Sequence, residues 1–239
     1  MRPSRALLGA LAAAQIAYGG RGGAVRGVGA TRGIVGLMLA ASTVEAVESR
    51  GWRRGGGGVA AAGALGFAAE LIGVATGRPF GHYSYSDRLG PRVGGVPLLA
   101  AAAWAMMARP AWVVAGLVSR RWRVPLAAGA LTAWDVFLDP RMAREGYWAW
   151  PAGGRYEGIP ASNFLGWLVT GAGVFAVWSL VDGGDDPMAD GDGALALYAW
   201  TWVGETFANA LLWRRPVVAA AGSAAMGAFL VPALRARLR

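Results

Sequence analysis

The chain has 239 residues, of which 55% are hydrophobic and 15% charged, where a soluble domain carries about 25% charge. So apolar a chain is neither disordered nor able to cover itself as a soluble globule, and its zero Cys and single His exclude disulfides, Cys-based metal or redox centres and His clusters. Its 23 basic residues, all arginine, against 14 acids give a formal +9; the excess alone would suggest nucleic acid, but the hydrophobicity points to an integral membrane protein with no nucleic-acid partner.

A spanning helix needs roughly 20 apolar residues, so eight nearly fill this length. We therefore expect an all-α, polytopic transmembrane helix bundle of seven to eight spans, one membrane domain over residues 1–239. In chain order the candidates are 4–19, 31–48, 58–76, 94–108, 124–139, 162–181, 194–213 and 216–234. The first also fits a signal peptide behind Arg2 and Arg5, but seven further spans and no clear cleavage site favour a span. Many spans are rich in Ala and Gly, which let membrane helices approach closely. After the fourth, Pro110 is expected to break the helix, because it has no N–H to give and clashes with the preceding turn, leaving 110–120 in the interface. The glycine runs 19–33 and 55–58 read as flexible turns. Residues 182–192, with five Asp and no base, read as a solvated loop without the final Glu of a calcium loop.

Charge does not orient the bundle. With eight spans the arginines divide eleven to eleven between the two faces, and Arg109 is ambiguous. If the arginines of loops 77–93 and 140–161 are functional and are set aside, both termini are cytoplasmic.

The acids at membrane depth are the informative residues, since a carboxylate there costs on the order of 2.5–3.5 kcal/mol and usually marks a site. Glu70 lies in the third span, Asp135 and Asp139 in the fifth and Glu205 in the seventh, with Glu45 and Glu48 near the end of the second. Glu70, Gly73 and Gly77 share a helix face, so the glycines clear space beside the carboxylate. Phe80, His82, Tyr83 and Tyr85 follow, a cluster that an aromatic belt would also explain. Asp135 and Asp139 stand at i, i+4. Two carboxylates so close in low dielectric do not both ionise easily, which keeps one acid protonated and available as a donor. The bland alternative is a helix-end Asp139 with Asp135 paired to an Arg. Trp148, Trp150 and Tyr156 lie in one loop. Ser162 is a candidate N-cap for the sixth span, and Asn163 and Trp167 share a face. Tyr198, Trp202, Glu205 and Asn209 form a stripe that fits interior packing as well as a cavity wall.

Carboxylic acids beside indoles and phenols in an apolar setting suit proton delivery to an alkene, because aromatic faces stabilise cations by ~2 kcal/mol or more when desolvated. Two other outcomes stay open. The cation is quenched by cyclisation or isomerisation, or the chain is a non-catalytic lipid-binding or transport protein whose acids gate a pathway.

The runs E-x-x-G-x-x-T-G-x-P-F-G-x-Y-x-Y (70–85), L-G-P (89–91), G-V-P (95–97), W-D-x-F-L-D-P (134–140), W-x-W (148–150) and G-x-Y-x-G-I-P-x-S-N-F-x-G-W (154–167) resemble the carotenoid-biosynthesis membrane protein family, which includes carotenoid end-group hydratases. The resemblance covers roughly 35–235 and is densest in 70–167. It implies a multi-span enzyme of the cell membrane that adds water to the terminal double bond of an acyclic carotenoid held in the bilayer. It implies no redox cofactor, and it suggests other enzymes of the same pathway as partners. On chemistry, Asp135 or Asp139 is the expected proton donor and Glu70 the base or water-orienting group. Tyr83, Tyr85, Trp148, Trp150 and Trp167 are expected to line the pocket, with Phe80, His82, Tyr156 and Asn163 beside them. Arg78 and Arg155 are expected to tune the acids, with Glu205 a further candidate.

Overall fold

In an apolar surround every backbone polar group needs an internal partner, and helices supply it. The computed structural model describes residues 2–20, 28–183, 188, 190 and 192–239 and is built of helices. They are α1 (Pro3–Gly20), α2 (Val28–Gly51), α3 (Gly57–Thr76), α4 (Leu98–Val118), α5 (Arg123–Arg144), α6 (Ala161–Asp182), α7 (Asp192–Phe207) and α8 (Pro216–Arg237). Among the described residues, four stretches are long and apolar enough to cross a membrane: Val28–Thr76, Leu98–Val118, Ala161–Val181 and Pro216–Arg237.

The first of these stretches holds both α2 and α3. Gly51 has φ 72°, a left-handed conformation that interrupts the helix. The π-helical turn Trp52–Gly56 then folds back, so that a Cβ at Gly55 would overlap the Ala46 carbonyl. The run 55–58, expected as a flexible turn, is thus helical. Gly19 and residues 28–33 are helical as well; residues 21–27 of that expected turn lie outside the described residues.

α4 is the central helix and packs against α2, α3, α5, α7 and α8. It runs unbroken through Pro110, contrary to expectation. Pro110 and Arg109 are both buried, and packing on all sides holds the turn that proline weakens; in helix bundles neighbouring helices commonly compensate in this way. Arg109, whose place the charge pattern left open, sits inside the bundle. Its guanidinium bonds Glu45 Oε2 at 2.9 Å and Asp190 Oδ1 at 2.6 Å. Arg50 reaches the same Asp190 oxygen at 2.6 Å, and Arg123 stands 3.9 Å from the other. Asp190 therefore corrects the reading of 182–192 as a solvated loop: it is buried and anchors the α6–α7 connection to three helices. Residues 184–187, 189 and 191 of that loop lie outside the described residues. Burial alone would raise the Asp190 carboxyl, but the hydrogen bond from Arg50 and the charge of Arg109 hold it below the ordinary aspartate range.

At the opposite end, two loops are stitched together. β1 (Ser84–Tyr85) pairs antiparallel with β4 (Trp148–Ala149), placing Tyr85 opposite Trp148. β2 (Arg92–Val93) and β3 (Val96–Pro97) form a short hairpin leading into α4. The α5–α6 loop is also held by Tyr156, whose hydroxyl donates to the Val136 carbonyl at 2.9 Å.

Candidate active site

Glu70 sits in the last two turns of α3 and is 5% exposed. Three neutral donors surround its carboxyl. Tyr83 and Tyr85 both donate to Oε2, the latter at 2.8 Å, and Trp104 Nε1 donates to Oε1 at 3.0 Å. The glycines along α3 make this possible, because a Cβ at Gly73 would press on the Phe80 ring and the Tyr83 hydroxyl. Gly77 caps the helix in the left-handed conformation, with its N–H on the Gly73 carbonyl at 2.7 Å. Burial, with Glu70 beside them, pushes the Tyr83 and Tyr85 phenols above their ordinary range, so both remain protonated donors.

Asp135 and Asp139 lie on α5 and are 0% and 2% exposed. The expected i, i+4 pairing is present, and a third group completes it. The Asn163 amide nitrogen, from the first turn of α6, donates to Asp135 Oδ2 at 2.9 Å and also to Asp139 Oδ2. Trp148 Nε1 donates to Asp139 Oδ1 at 3.0 Å, while Asp135 Oδ1 has no hydrogen-bond partner among the described residues. Among the described residues, no arginine forms an ion pair with Glu70, Asp135 or Asp139. The alternative in which Asp135 is paired to an Arg is therefore not what the structure holds.

The acids face a cavity of about 410 Å³. Glu70, Asp139 and Asn163 line it together with Phe80, Tyr83, Tyr85, Trp104, Trp134, Trp148, Trp150 and Trp167. Asp135, one turn earlier on α5, does not line it. The rings interlock: Trp104 stacks on Trp167 with centroids 4.0 Å apart, Trp134 meets Trp167 edge-on at 6.1 Å, and Tyr83 lies 5.9 Å from Trp150. Trp150 Nε1 donates to the Phe80 carbonyl at 3.1 Å, tying the two aromatic loops together. Gly166 lets Phe80 in, since a Cβ there would collide with its ring.

Other expected residues fall elsewhere. His82 is exposed, its ring lying against Gly77, while Arg78 and Arg155 are exposed and line no part of the cavity. Tyr156 holds its loop rather than facing the cavity. Ser162 is not the cap of α6, which begins at Ala161 after Pro160. Of the α7 stripe only Glu205 reaches the cavity, paired with Arg141 at 2.9 Å. Tyr198 and Trp202 instead bond the carbonyls of Ala130 and Ser223, both at 2.9 Å. Trp104 was missed: nothing in the sequence near it points to Glu70, which is 34 positions away. Trp134, which opens the W-D-x-F-L-D-P run, is a further wall residue.

The sequence profile of the carotenoid biosynthesis protein family matches residues 29–230. The chain belongs to this family. It is also 29% identical over 127 residues to the bisanhydrobacterioruberin hydratase of Haloarcula japonica, a match covering 50% of this chain and 43% of that protein. The chain thus matches less than half the length of that relative. No solved structure matches the chain. The carotenoid biosynthesis family match encloses all three acids and the whole aromatic wall.

Proposed function

We propose that the protein is a multi-pass enzyme of the cell membrane that hydrates the terminal C=C of an acyclic carotenoid to a tertiary alcohol, without a cofactor. The observation that carries this reading is that Glu70 and Asp139 face one aromatic-lined cavity with only neutral hydrogen-bond partners. Burial without a guanidinium partner lets a carboxyl either carry or accept a proton, whereas one locked to a guanidinium stays ionised.

Asp139 protonates the less substituted alkene carbon, forming a C–H bond and a tertiary cation beside the faces of Trp167, Trp104 and Trp134. Indole faces stabilise such a cation by ~2 kcal/mol or more in a dry site. Water adds to the cation, and Glu70, oriented by Tyr83, Tyr85 and Trp104, takes up the proton that the water releases. Asp135 shares the Asn163 amide with Asp139. The substrate comes from and passes to other carotenoid-pathway enzymes in the same bilayer.

The reading includes a bundle of seven to eight spans forming one membrane domain. α1, α5 and α7 cross beside the four apolar stretches, and Asp135, Asp139 and the Arg141–Glu205 pair are turned into the bundle rather than to lipid. Support comes from their lengths: α5 has 22 residues, and α7 with its following π-helical turn runs from Asp192 to Leu212.

Expression in cells that make an acyclic carotenoid, followed by mass analysis of the pigments, tests this. Hydration adds the mass of one water per modified end, cyclisation or isomerisation adds nothing, and pigment that is bound but unchanged would point to a binding protein.

A further inference from the structure

The acid cavity extends beyond the aromatic wall, past Met38, Leu138 and Met142, toward α1 and α7. Among the described residues that line it, the exposed ones are Ile16, Val203, Phe207 and Leu212, all on α1, α7 or the turn after α7. They are apolar and strongly exposed, from 45% at Leu212 to 64% at Ile16. The opening has two edges. On one, Trp200 Nε1 donates to Gln15 Oε1 at 2.6 Å across the gap between the helices. On the other, Gly19 lies against Leu212, with a Cβ at Gly19 falling 3.0 Å from Leu212 Cδ1. Between these edges Gly204 lines the passage, and a Cβ there would meet nothing within 4 Å. α1 packs mainly on α2 and touches α7 little, so the gap is a seam rather than a packed interface.

We propose that this seam is a lateral portal through which one end of a long linear polyene slides in from the lipid, while the rest of the molecule stays in the bilayer. The proposal rests on the reading of the site as one for a carotenoid end group. An acyclic carotenoid is about as long as the hydrocarbon core is thick, roughly 30 Å. A cavity of about 410 Å³ is of the size that holds a drug-like ligand, so it takes an end group and the first conjugated units only. A polyene lying along the bilayer meets an apolar rim at membrane depth without exposing itself to water. Recognition is then of the end group, and the two ends of one molecule enter in separate events.

The test uses the full chain in liposomes and reads polyene binding by quenching of tryptophan fluorescence, with hydration measured alongside. Gly204→Leu and Gly204→Phe place growing side chains in the passage and are expected to weaken binding progressively, by about tenfold for Phe. Leu180→Phe, at an 82% exposed position on α6 away from the seam, is expected to bind as wild type does. Because the chain has no cysteine, Gly204→Cys carries a lone thiol in the passage, which oxidation to a mixed disulfide with a bulky thiol blocks and reduction releases. Binding lost on oxidation and recovered on reduction supports the portal. Equal binding by the oxidised and reduced forms, or wild-type binding by Gly204→Phe, overturns it. Polyene that binds through the seam but is never hydrated overturns the hydration reading and leaves the portal standing.

Discussion

Two clusters of buried acids sit toward opposite ends of this bundle, and they are held in opposite ways. Glu45 and Asp190 meet guanidinium groups from Arg109, Arg50 and Arg123. Glu70, Asp135 and Asp139 meet phenols, indoles and one amide. Desolvation opposes charge at both ends, but only the first cluster answers it with opposite charge. Its ion pairs pin α2, α4, α5 and the α6–α7 connection. The second cluster has no opposite charge among the described residues, and two of its three acids, Glu70 and Asp139, line the cavity. On the proposed function, the same residue type in the same kind of surround serves as a strut or as a reagent according to its partner.

The largest expected effect separates the two roles. Asp139→Asn is expected to lower hydration by about 10²-fold or more, the usual worth of a general acid, while the melting temperature falls only modestly, because the amide oxygen still accepts from Trp148 Nε1 and only the bond from Asn163 is lost. A stability loss as large as the activity loss would make Asp139 a strut as well. The reverse pattern is expected for Arg109→Met. Removing one partner of a buried charge pair costs about 3–5 kcal/mol, so denaturant or thermal unfolding shifts strongly, while the activity of the molecules that remain folded is retained.

A smaller effect is expected for Tyr83→Phe. It removes one of three donors to Glu70, and a hydrogen bond to a charged or developing-charge group is worth about 1.5–3 kcal/mol, so turnover falls by about tenfold or more with little change in substrate affinity. An unchanged rate would mean that Glu70 needs no orientation. The smallest concerns pH. The Asp190 carboxyl is lower in the folded chain than in the unfolded one, so its stabilisation is complete above the ordinary aspartate value of about 4 and is lost as pH falls through the folded value. Melting temperature is expected to fall on that acid side, and Asp190→Asn to flatten the fall.

The acids of the site were legible in the sequence because an apolar helix makes a carboxylate conspicuous, and because i, i+4 spacing alone places Asp135 beside Asp139. Asn163 and Trp167 were legible for the same reason. Their partners were not. Trp104 reaches Glu70 from a different helix, and Trp148 reaches Asp139 through the β1–β4 pairing, contacts that no local spacing encodes. The strut cluster was hidden more deeply. Asp190 reads as one of five solvated aspartates and Arg109 beside Pro110 as a helix end; arginines from three helices bury the first and five packed helices bury the second. Local rules speak for local structure, and these two differences fall where packing across the bundle overrides them.

The most direct test of the central claim, that a protonated cavity acid starts the reaction, is hydration in heavy water with mass and NMR analysis of the product. Proton transfer from Asp139 to the alkene predicts one non-exchangeable deuterium on the carbon next to the new tertiary alcohol in wild type, with both label and alcohol lost in Asp139→Asn. An alcohol formed without deuterium at that carbon, or formed at the wild-type rate by Asp139→Asn, would contradict it.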